Sequence, residues 1–249
     1  MVTERSISLD GKTCTAVISD EPEALLAAKA AGRAVVGVER EGEDIWDIKG
    51  IPYVIPDIED ATDELLELVI RRHLGLPWNL CRTSRLLIRE LTADDAGYIP
   101  EEEYGPQEAI FRSGETLELY RRNQYGFYEY GTWALVRRED QVLVGLAGVS
   151  NPRLAGEMED CLDSLGQSVP WLELGYHIFL PYRQLGYCAE AVSAIAGYSH
   201  EVLQVRLCAL IRRENQASRR VAEGLGMTCL METDIQSFEG QLLYGESPV

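Results

Sequence analysis

The 249-residue sequence is short of positive charge. It contains 23 Lys and Arg against 41 Asp and Glu, which gives a formal net charge of -18 at pH 7. A surface of this sign repels nucleic-acid phosphates and anionic lipid headgroups, so we expect neither nucleic acid nor a membrane as a partner. Charge alone favours a cationic ligand.

Cysteine pairs at metal-ligand spacing are also missing. None of the six cysteines forms a C-x-x-C motif, so the sequence predicts neither a zinc site nor a disulfide framework, and we expect reduced thiols that are mostly buried. These cysteines are Cys14, Cys81, Cys161, Cys188, Cys208 and Cys229.

Long apolar runs and a leader are not visible either. No run approaches the roughly 18 residues that a membrane span requires, and no basic-plus-apolar segment opens the sequence. A cytoplasmic protein is therefore expected. The 46% hydrophobic content is enough for a sizeable core.

Two patterns meet near residues 75–85. The first part alternates strand-like and helix-like segments, and such alternation predicts a small α/β domain with a parallel sheet over residues 1–78. Its segments are TCTAVIS, EPEALLAAKAAG, RAVVGVE, PYVIPD and DATDELLELVIRRHLG.

The second part predicts an α+β domain with a mixed sheet over residues 79–249. A strand RLLIREL precedes a long irregular and helical stretch over 94–126, and a hairpin and an acidic loop or broken helix follow. The hairpin is TWALVRRED with QVLVGLAGVS, and the later elements are strand WLELGYHIFL, a helix from near Gly186, strand VRLCALI, helix NQASRRVAEGLG and paired strands TCLMETDIQ and QLLYGE.

The junction PYRQLGYCAEA places a basic turn and a glycine between an apolar strand and a helix. Backbone N–H groups at a helix N-terminus have no intrahelical acceptor and suit a phosphate, and Arg183 adds a charged donor. An ordinary strand-to-helix turn would look the same if this motif stood alone. The candidate donors are the N–H groups of Leu185, Gly186, Tyr187, Cys188 and Ala189.

With the RLLIREL opening and a second signature, IRRENQASRRVAEGLGM, this junction resembles a GNAT-family N-acetyltransferase over residues 85–245. The branch that includes the ribosomal-protein alanine acetyltransferases is the most similar. The family's [Q/R]-x-x-G-x-[G/A] loop falls on Arg183, Gly186 and Cys188, with a departure at Cys188 and no glycine at Gln184. The resemblance implies a GNAT fold with a mixed, splayed central sheet and acetyl-CoA as co-substrate.

The resemblance also implies roles along the cofactor. Backbone groups near His177, Ile178 and Phe179 would pair with the pantetheine amides where their strand splays from its neighbour. Asn215 would bond the pantetheine arm and Ser218 would be the general acid, although helix capping alone explains both residues.

Acetyl transfer to an amine requires a base and an oxyanion donor. Glu173 is our first candidate base, against the alternative of a simple strand-edge acid, and His177 on the same strand face competes with it. The N–H of Ile178 is the candidate oxyanion donor. Tyr244 is a weaker candidate acid, because a buried packing role suits it better.

The sequence says less about the acceptor substrate. An aromatic segment and the acids of 157–163 could form a negative mouth for an amine, although aromatic stripes more often belong to a core. The aromatic residues are Tyr120, Tyr125, Phe127, Tyr128 and Tyr130. The predicted function is acetyl transfer from acetyl-CoA to a primary amine, on a small molecule or a protein N-terminus, by direct attack in a ternary complex. The alternative is an acetyl-CoA-binding sensor or scaffold without turnover.

Residues 1–78 resemble the second half of a haloacid-dehalogenase core. That family's nucleophile lies in a D-x-D motif, and none precedes Cys14, so Asp20 and Glu21 cannot run phosphoryl transfer by that route. We expect a degenerate, non-catalytic domain. Docking, homodimer formation or framing of the acceptor site would suit it.

Cys188 is the sharpest departure from the family pattern. Its position at a helix N-terminus predicts a lowered thiol pKa and fast alkylation that CoA would slow. The alternative is a buried small residue that substitutes for alanine.

Overall fold

The computed structural model describes residues 1–40, 50–103, 110–154, 156–166, 169–233 and 240–247. The chain divides into two compact units, Met1–Trp78 and Asn79–Val249. The last three residues of the predicted strand TCLMETDIQ, 234–236, lie outside the described residues.

The first unit contains a four-stranded sheet in the order β1-β2-β3-β4. Strands β2, β3 and β4 are parallel, as predicted, whereas β1 pairs antiparallel with β2 and was not predicted. Asp10 and Gly11, both at positive φ, form the two-residue turn that joins β1 to β2. The strands are β1 (Val2–Leu9), β2 (Lys12–Ser19), β3 (Ala34–Val38) and β4 (Val54–Ile55), and the helices are α1 (Pro22–Ala30) and α2 (Asp63–His73).

Helix α2 illustrates how local sequence sets an element. Thr62 caps its start by accepting a bond from the Leu65 N–H at 3.2 Å, and acids lie in the first turn with basic residues in the last, as the helix dipole prefers. Leu66, Val69 and Ile70 share one buried face. Gly75 follows at φ 72°, in the left-handed region that ends many helices.

The second unit contains an eight-stranded mixed sheet in the order β11-β12-β10-β9-β8-β7-β6-β5. All its neighbouring strands are antiparallel except β9 and β10, which are parallel. The predicted mixed sheet is confirmed. The strands are β5 (Asn79–Arg82), β6 (Leu86–Glu90), β7 (Thr132–Arg137), β8 (Leu143–Ser150), β9 (Trp171–Ile178), β10 (Arg206–Arg212), β11 (Met227–Thr233) and β12 (Gln241–Glu246).

Helices lie on both faces of this sheet. Alternate β9 residues Leu172, Leu174 and Ile178 share one core cluster with side chains of α6 and α7. Met158 and Leu162 of α5 pack with Cys208 and Leu243 in another cluster. The acidic segment predicted as a loop or broken helix thus contains a helix. The helices are α3 (Gly114–Tyr120), α4 (Gly126–Tyr128), α5 (Gly156–Ser164), α6 (Tyr187–Glu201) and α7 (Gln216–Gly224).

Gly145 of β8 supports the end of β9 by close backbone approach. A Cβ at this position would lie 2.5 Å from the His177 carbonyl oxygen and 3.0 Å from Ile178 Cα. Such distances are below van der Waals contact, so glycine allows β9 to lie against β8 at this point.

Candidate functional site

Strand β9 parts from β10 halfway along its length. The parallel pairing runs from Trp171 with Arg206 to Glu173 with Cys208, and β10 then pairs with β12 through Arg212. Strand β9 continues along β8 as far as Ile178. The described strands therefore open a gap between them after Glu173, as the predicted splay requires.

The backbone groups that face this gap follow from the β8 register. The Phe179 N–H donates to the Val144 carbonyl at 3.0 Å, and alternation along an antiparallel pair also turns His177 toward β8. The predicted pairing of pantetheine with backbone groups of His177 and Phe179 is therefore wrong. Ile178 and Tyr176 have the opposite orientation and face the gap.

A loop and a helix start lie beyond the end of β9. A short 3₁₀ turn, Leu180–Tyr182, leads to Gln184 at φ 61° and Gly186 at φ 81°, and α6 begins at Tyr187. Gly186 is the N-cap residue, so the N–H groups of the first turn have no intrahelical acceptor. The predicted phosphate donors Leu185, Gly186, Tyr187, Cys188 and Ala189 thus meet at one helix N-terminus.

The Arg183 side chain bonds groups outside that helix start. Its Nε donates to the Ile178 carbonyl at 2.8 Å, and its Nη2 donates to Glu103 Oε2 at 2.9 Å. Glu103 also accepts from the Leu180 N–H and from His177 Nε2, both at 2.8 Å. Burial opposes the charge of Glu103, but these bonds outweigh it and lower its pKa. The contact of Arg183 with phosphate stays a prediction, and in the structure its Nε and Nη2 are engaged by Ile178 and Glu103.

Glu173 lies where the two strands part. Burial raises the pKa of its carboxyl, and a bond from the Arg153 N–H only partly opposes the rise. Burial, together with the charge of Glu173, raises the pKa of neighbouring Cys208 to about 12. A carboxyl with a raised pKa is suited to accept a proton near neutral pH.

Tyr176 and Ser218 form a hydroxyl pair on the side of β9 that faces α6 and α7. Ser218 Oγ donates to Tyr176 Oη at 3.0 Å, and Tyr176 Oη donates to the Ser218 carbonyl at 3.0 Å. Burial raises the pKa of Tyr176 to about 12, opposed by the Ser218 bond and increased by nearby Cys188. Asn215 caps α7 by accepting from the Ser218 N–H at 3.1 Å. Sequence reasoning missed Tyr176, although its alternation with Glu173 could have placed it on the helix side of the strand.

The structure also describes the surroundings of Tyr244 and Cys188, for which the sequence left two interpretations each. Tyr244 is buried, accepts from Arg219 Nε at 3.1 Å and donates to Glu223 at 3.2 Å, so the packing role is confirmed. Burial raises the pKa of Cys188 to about 11. The expected lowering by the helix N-terminus is therefore wrong, because desolvation of the thiolate dominates.

The aromatic segment splits between core and surface. Tyr125 is buried, whereas Phe127 is 78% exposed and Tyr128 is 41% exposed. Tyr130 donates to Asn151 Oδ1 at 2.8 Å, beside a cavity of about 410 Å³ whose lining includes Glu159, Asp163 and Trp171. Arg153 lies between Pro152 and Leu154, which both line this cavity, and its backbone N–H bonds Glu173.

Sequence reasoning also missed Arg85 and Glu190. Arg85, in the β5–β6 turn, pairs with Glu190 in the first turn of α6 at 2.7 Å. Within the described residues, no group of His, Cys, Asp and Glu is arranged to hold a metal ion. Among these same residues every helix is too short or too polar to cross a bilayer.

A gap between parallel strands that leads to a helix N-terminus can hold an extended anionic cofactor. The profile of the Acetyltransferase (GNAT) domain matches residues 85–228, more than half of the sequence. The chain belongs to the GNAT acetyltransferase family. It is an N-acetyltransferase that uses acetyl-CoA as co-substrate.

Solved structures show the same fold. One is a "Putative GnaT-family acetyltransferase" from Bordetella pertussis, with 19% identity and a TM-score of 0.53, covering 67% of this chain and 98% of that one. Another is the ribosomal-protein-S5-alanine acetyltransferase from Vibrio fischeri, with 12% identity and a TM-score of 0.53, covering 70% of this chain and 97% of that one. A comparison with curated proteins finds no match. The family match does not include residues 1–78, so their resemblance to a haloacid-dehalogenase core stays a prediction.

Proposed function

We propose that the chain transfers the acetyl group of acetyl-CoA directly to a primary amine, on a small molecule or a protein N-terminus, within a ternary complex. The observation that carries this proposal is the gap after Glu173, which joins a carboxyl of raised pKa to an exposed helix start. Direct transfer requires the amine and the thioester of acetyl-CoA to meet. In this proposal they meet at the gap between β9 and β10.

The residues present fit acetyl-CoA. The first-turn N–H groups of α6 and the exposed Gly186 suit the diphosphate, since a helix N-terminus binds anions. The backbone of Tyr176 faces the gap and suits the pantetheine amides. Asn215, at the neighbouring start of α7, is the proposed side-chain ligand of the same arm.

Each chemical role falls on a group of this chain. Glu173 accepts the proton of the ammonium so that the neutral amine can attack the thioester carbonyl, and the Ile178 N–H donates to the oxygen on which charge develops. As the new C–N bond forms, the C–S bond breaks. The Ser218–Tyr176 pair, with Tyr176 on the strand that borders the gap, returns a proton to the sulfur, and it is reprotonated from water as the attacking nitrogen loses its second proton to water.

A cationic acceptor suits the surroundings. Helix α5 exposes carboxylates that include Glu159 and Asp163 at the rim of the 410 Å³ cavity, and its described residues carry no basic side chain. Phe127 and Tyr128 add exposed aromatic surface for an amine. Charge and aromatic surface together support an ammonium-bearing substrate.

Calorimetry and turnover test the proposal in two steps. Titration with acetyl-CoA should show binding, and lack of binding at millimolar ligand would rule the proposal out. A thiol-release screen against small amines and peptides with free N-termini should then identify the acceptor. Turnover that Glu173→Gln abolishes with acetyl-CoA affinity intact would exclude a sensor without catalysis.

We also propose that residues 1–78 form a non-catalytic domain that serves docking or a homodimer. Asp20 and Glu21, the acids that follow β2, bond the N-terminal amino group of Met1. Light scattering of the full chain over a concentration series measures the oligomeric state, and a monomer at all concentrations would exclude the homodimer.

A further inference from the structure

The β5–β6 turn, Thr83–Arg85, holds the first turn of α6. Glu190 Oε1 accepts from Thr83 Oγ1 at 2.5 Å, from Ser84 Oγ at 2.9 Å and from the Arg85 N–H at 2.8 Å. Arg85 Nε donates to Glu190 Oε2 at 2.7 Å. One carboxylate thus receives four donors from a turn about a hundred residues earlier in the chain.

This arrangement resolves an electrostatic conflict. A carboxylate in the first turn of α6 would repel a diphosphate bound at the same helix start. Burial opposes the charge of Glu190, but the bonds from Thr83 and Arg85 outweigh it and lower the pKa to about 2. The carboxylate is therefore ionised, and the Arg85 guanidinium compensates its charge.

Three contacts fix the Arg85 guanidinium against the loop. Besides the Nε bond to Glu190, Nη1 donates to the Leu185 carbonyl at 2.8 Å, and Cζ lies 4.6 Å from the centre of the Tyr187 ring. All three partners belong to residues 185–190. The charge is consequently held at the helix start rather than on a free side chain.

The remaining nitrogen, Nη2, lies beside Gly186. It would be 3.3 Å from a Cβ placed on Gly186, and within the described part of the chain it has no hydrogen-bond partner. The Arg85 side chain is 45% exposed. A donor is thus presented to solvent next to the N-cap, whereas Arg183 is engaged by Glu103.

We propose that Arg85 is a cofactor-binding residue, whose Nη2 donates to the diphosphate of acetyl-CoA at Gly186 while Glu190 holds the guanidinium in place. This assignment rests on the proposed acetyl-CoA site. A guanidinium gives short, charge-assisted bonds to phosphate oxygens, and its fixed geometry lowers the entropy lost on binding.

Calorimetry with acetyl-CoA compares Arg85→Gln with a matched control, Ser84→Ala. Loss of one charge-assisted bond predicts an affinity about 10-fold to 100-fold lower for Arg85→Gln. Ser84→Ala removes one donor to Glu190 but keeps Arg85, so its affinity should fall less than about 3-fold. Thermal unfolding of both variants checks that the fold is intact.

Salt dependence separates a phosphate contact from a purely structural latch. Screening weakens the Arg85–phosphate contact, so rising salt should reduce the affinity of the wild type relative to that of Arg85→Gln, which lacks the charge. Arg85→Lys keeps the charge and should recover this salt dependence with part of the affinity. S-acetylpantetheine lacks the diphosphate, so Arg85→Gln should impair transfer from it at least about 10-fold less than transfer from acetyl-CoA.

The outcomes distinguish this inference from the proposed function. If the wild type binds acetyl-CoA and Arg85→Gln binds it equally well, Arg85 does not contact the cofactor. If Arg85→Gln and Ser84→Ala lose acetyl-CoA affinity equally and change its salt dependence equally, the turn has only a structural role and the inference is overturned. If the wild type itself fails to bind acetyl-CoA, the proposed function fails first.

Discussion

The hydroxyl of Ser218 donates to the phenol oxygen of Tyr176 at 3.0 Å, and the phenol donates to the Ser218 backbone carbonyl. The hydroxyl hydrogen of Ser218 is therefore directed at the phenol oxygen of Tyr176. We therefore propose the pair, rather than Ser218 alone, as the general acid, with Tyr176 on the strand that borders the gap.

Replacing Tyr176 by Phe tests the pair directly. Loss of a general acid predicts a kcat about 100-fold lower, and Ser218→Ala, which leaves the phenol, should lower kcat by less than about 10-fold. Acetyl-CoA affinity measured by calorimetry should be nearly unchanged in both variants. A larger fall in kcat for Ser218→Ala than for Tyr176→Phe would indicate that Ser218 is the general acid.

Glu173 should set the acid limb of the pH profile. Only its ionised form accepts a proton, and burial raises its pKa above the ordinary value of 4.5, so kcat/KM should increase with pH through a limb above that value. In Glu173→Gln this limb should disappear and kcat should fall about 100-fold. The same limb in the variant would assign it to the acceptor amine.

Gln184 offers a stability test in the loop. It has φ 61°, where a glycine is unstrained. Gln184→Gly should raise the free energy of unfolding by up to about 1 kcal/mol, because relief of left-handed strain exceeds the added entropy of the unfolded chain. Denaturant titration measures the change.

Gln204 provides the matched control, because it is an exposed glutamine at φ 54° outside this loop. Gln204→Gly should stabilise the protein by a similar amount and leave acetyl-CoA affinity unchanged. Destabilisation by Gln184→Gly would show that its side chain makes a stabilising contact in the loop.

Cys188 should react slowly with alkylating agents. Its pKa of about 11 leaves little thiolate at pH 8, whereas Cys229 is exposed. Peptide-mapped alkylation should label Cys229 well before Cys188. Cys188→Ala should leave acetyl-CoA affinity within about 1 kcal/mol, because backbone N–H groups bind the phosphate in the proposed site. Labelling of Cys188 before Cys229 would instead support the prediction that Cys188 is a reactive thiol.

Local patterns predicted most elements of the second unit and the position of the loop. Alternating hydrophobic residues mark β9, and Gly186 marks the start of α6. Strand β1 was missed because its residues are mostly polar, and its inward face contributes only Ile7 and Leu9 to the core. The helix in the acidic segment was ambiguous because few of its residues are apolar.

Partners far apart in sequence could not be predicted. Arg183 looks like the phosphate ligand by position, but Glu103, eighty residues earlier, takes its guanidinium. The contacts of Glu190 come from a turn that no local pattern connects to α6. Such pairings depend on sheet order and register, which a single sequence does not encode in a readable form.

The bond between the Arg85 N–H and Glu190 joins residues 105 positions apart. Contacts of such separation form only after the chain between them has been ordered, and they slow folding because a long loop must be closed. During synthesis, the β5–β6 turn leaves the ribosome long before α6 does. We therefore expect the helix start to acquire its final geometry late in folding, so that cofactor affinity appears only once the edge strands have paired, and a chain truncated before Glu190 leaves its Thr83–Arg85 turn without a partner.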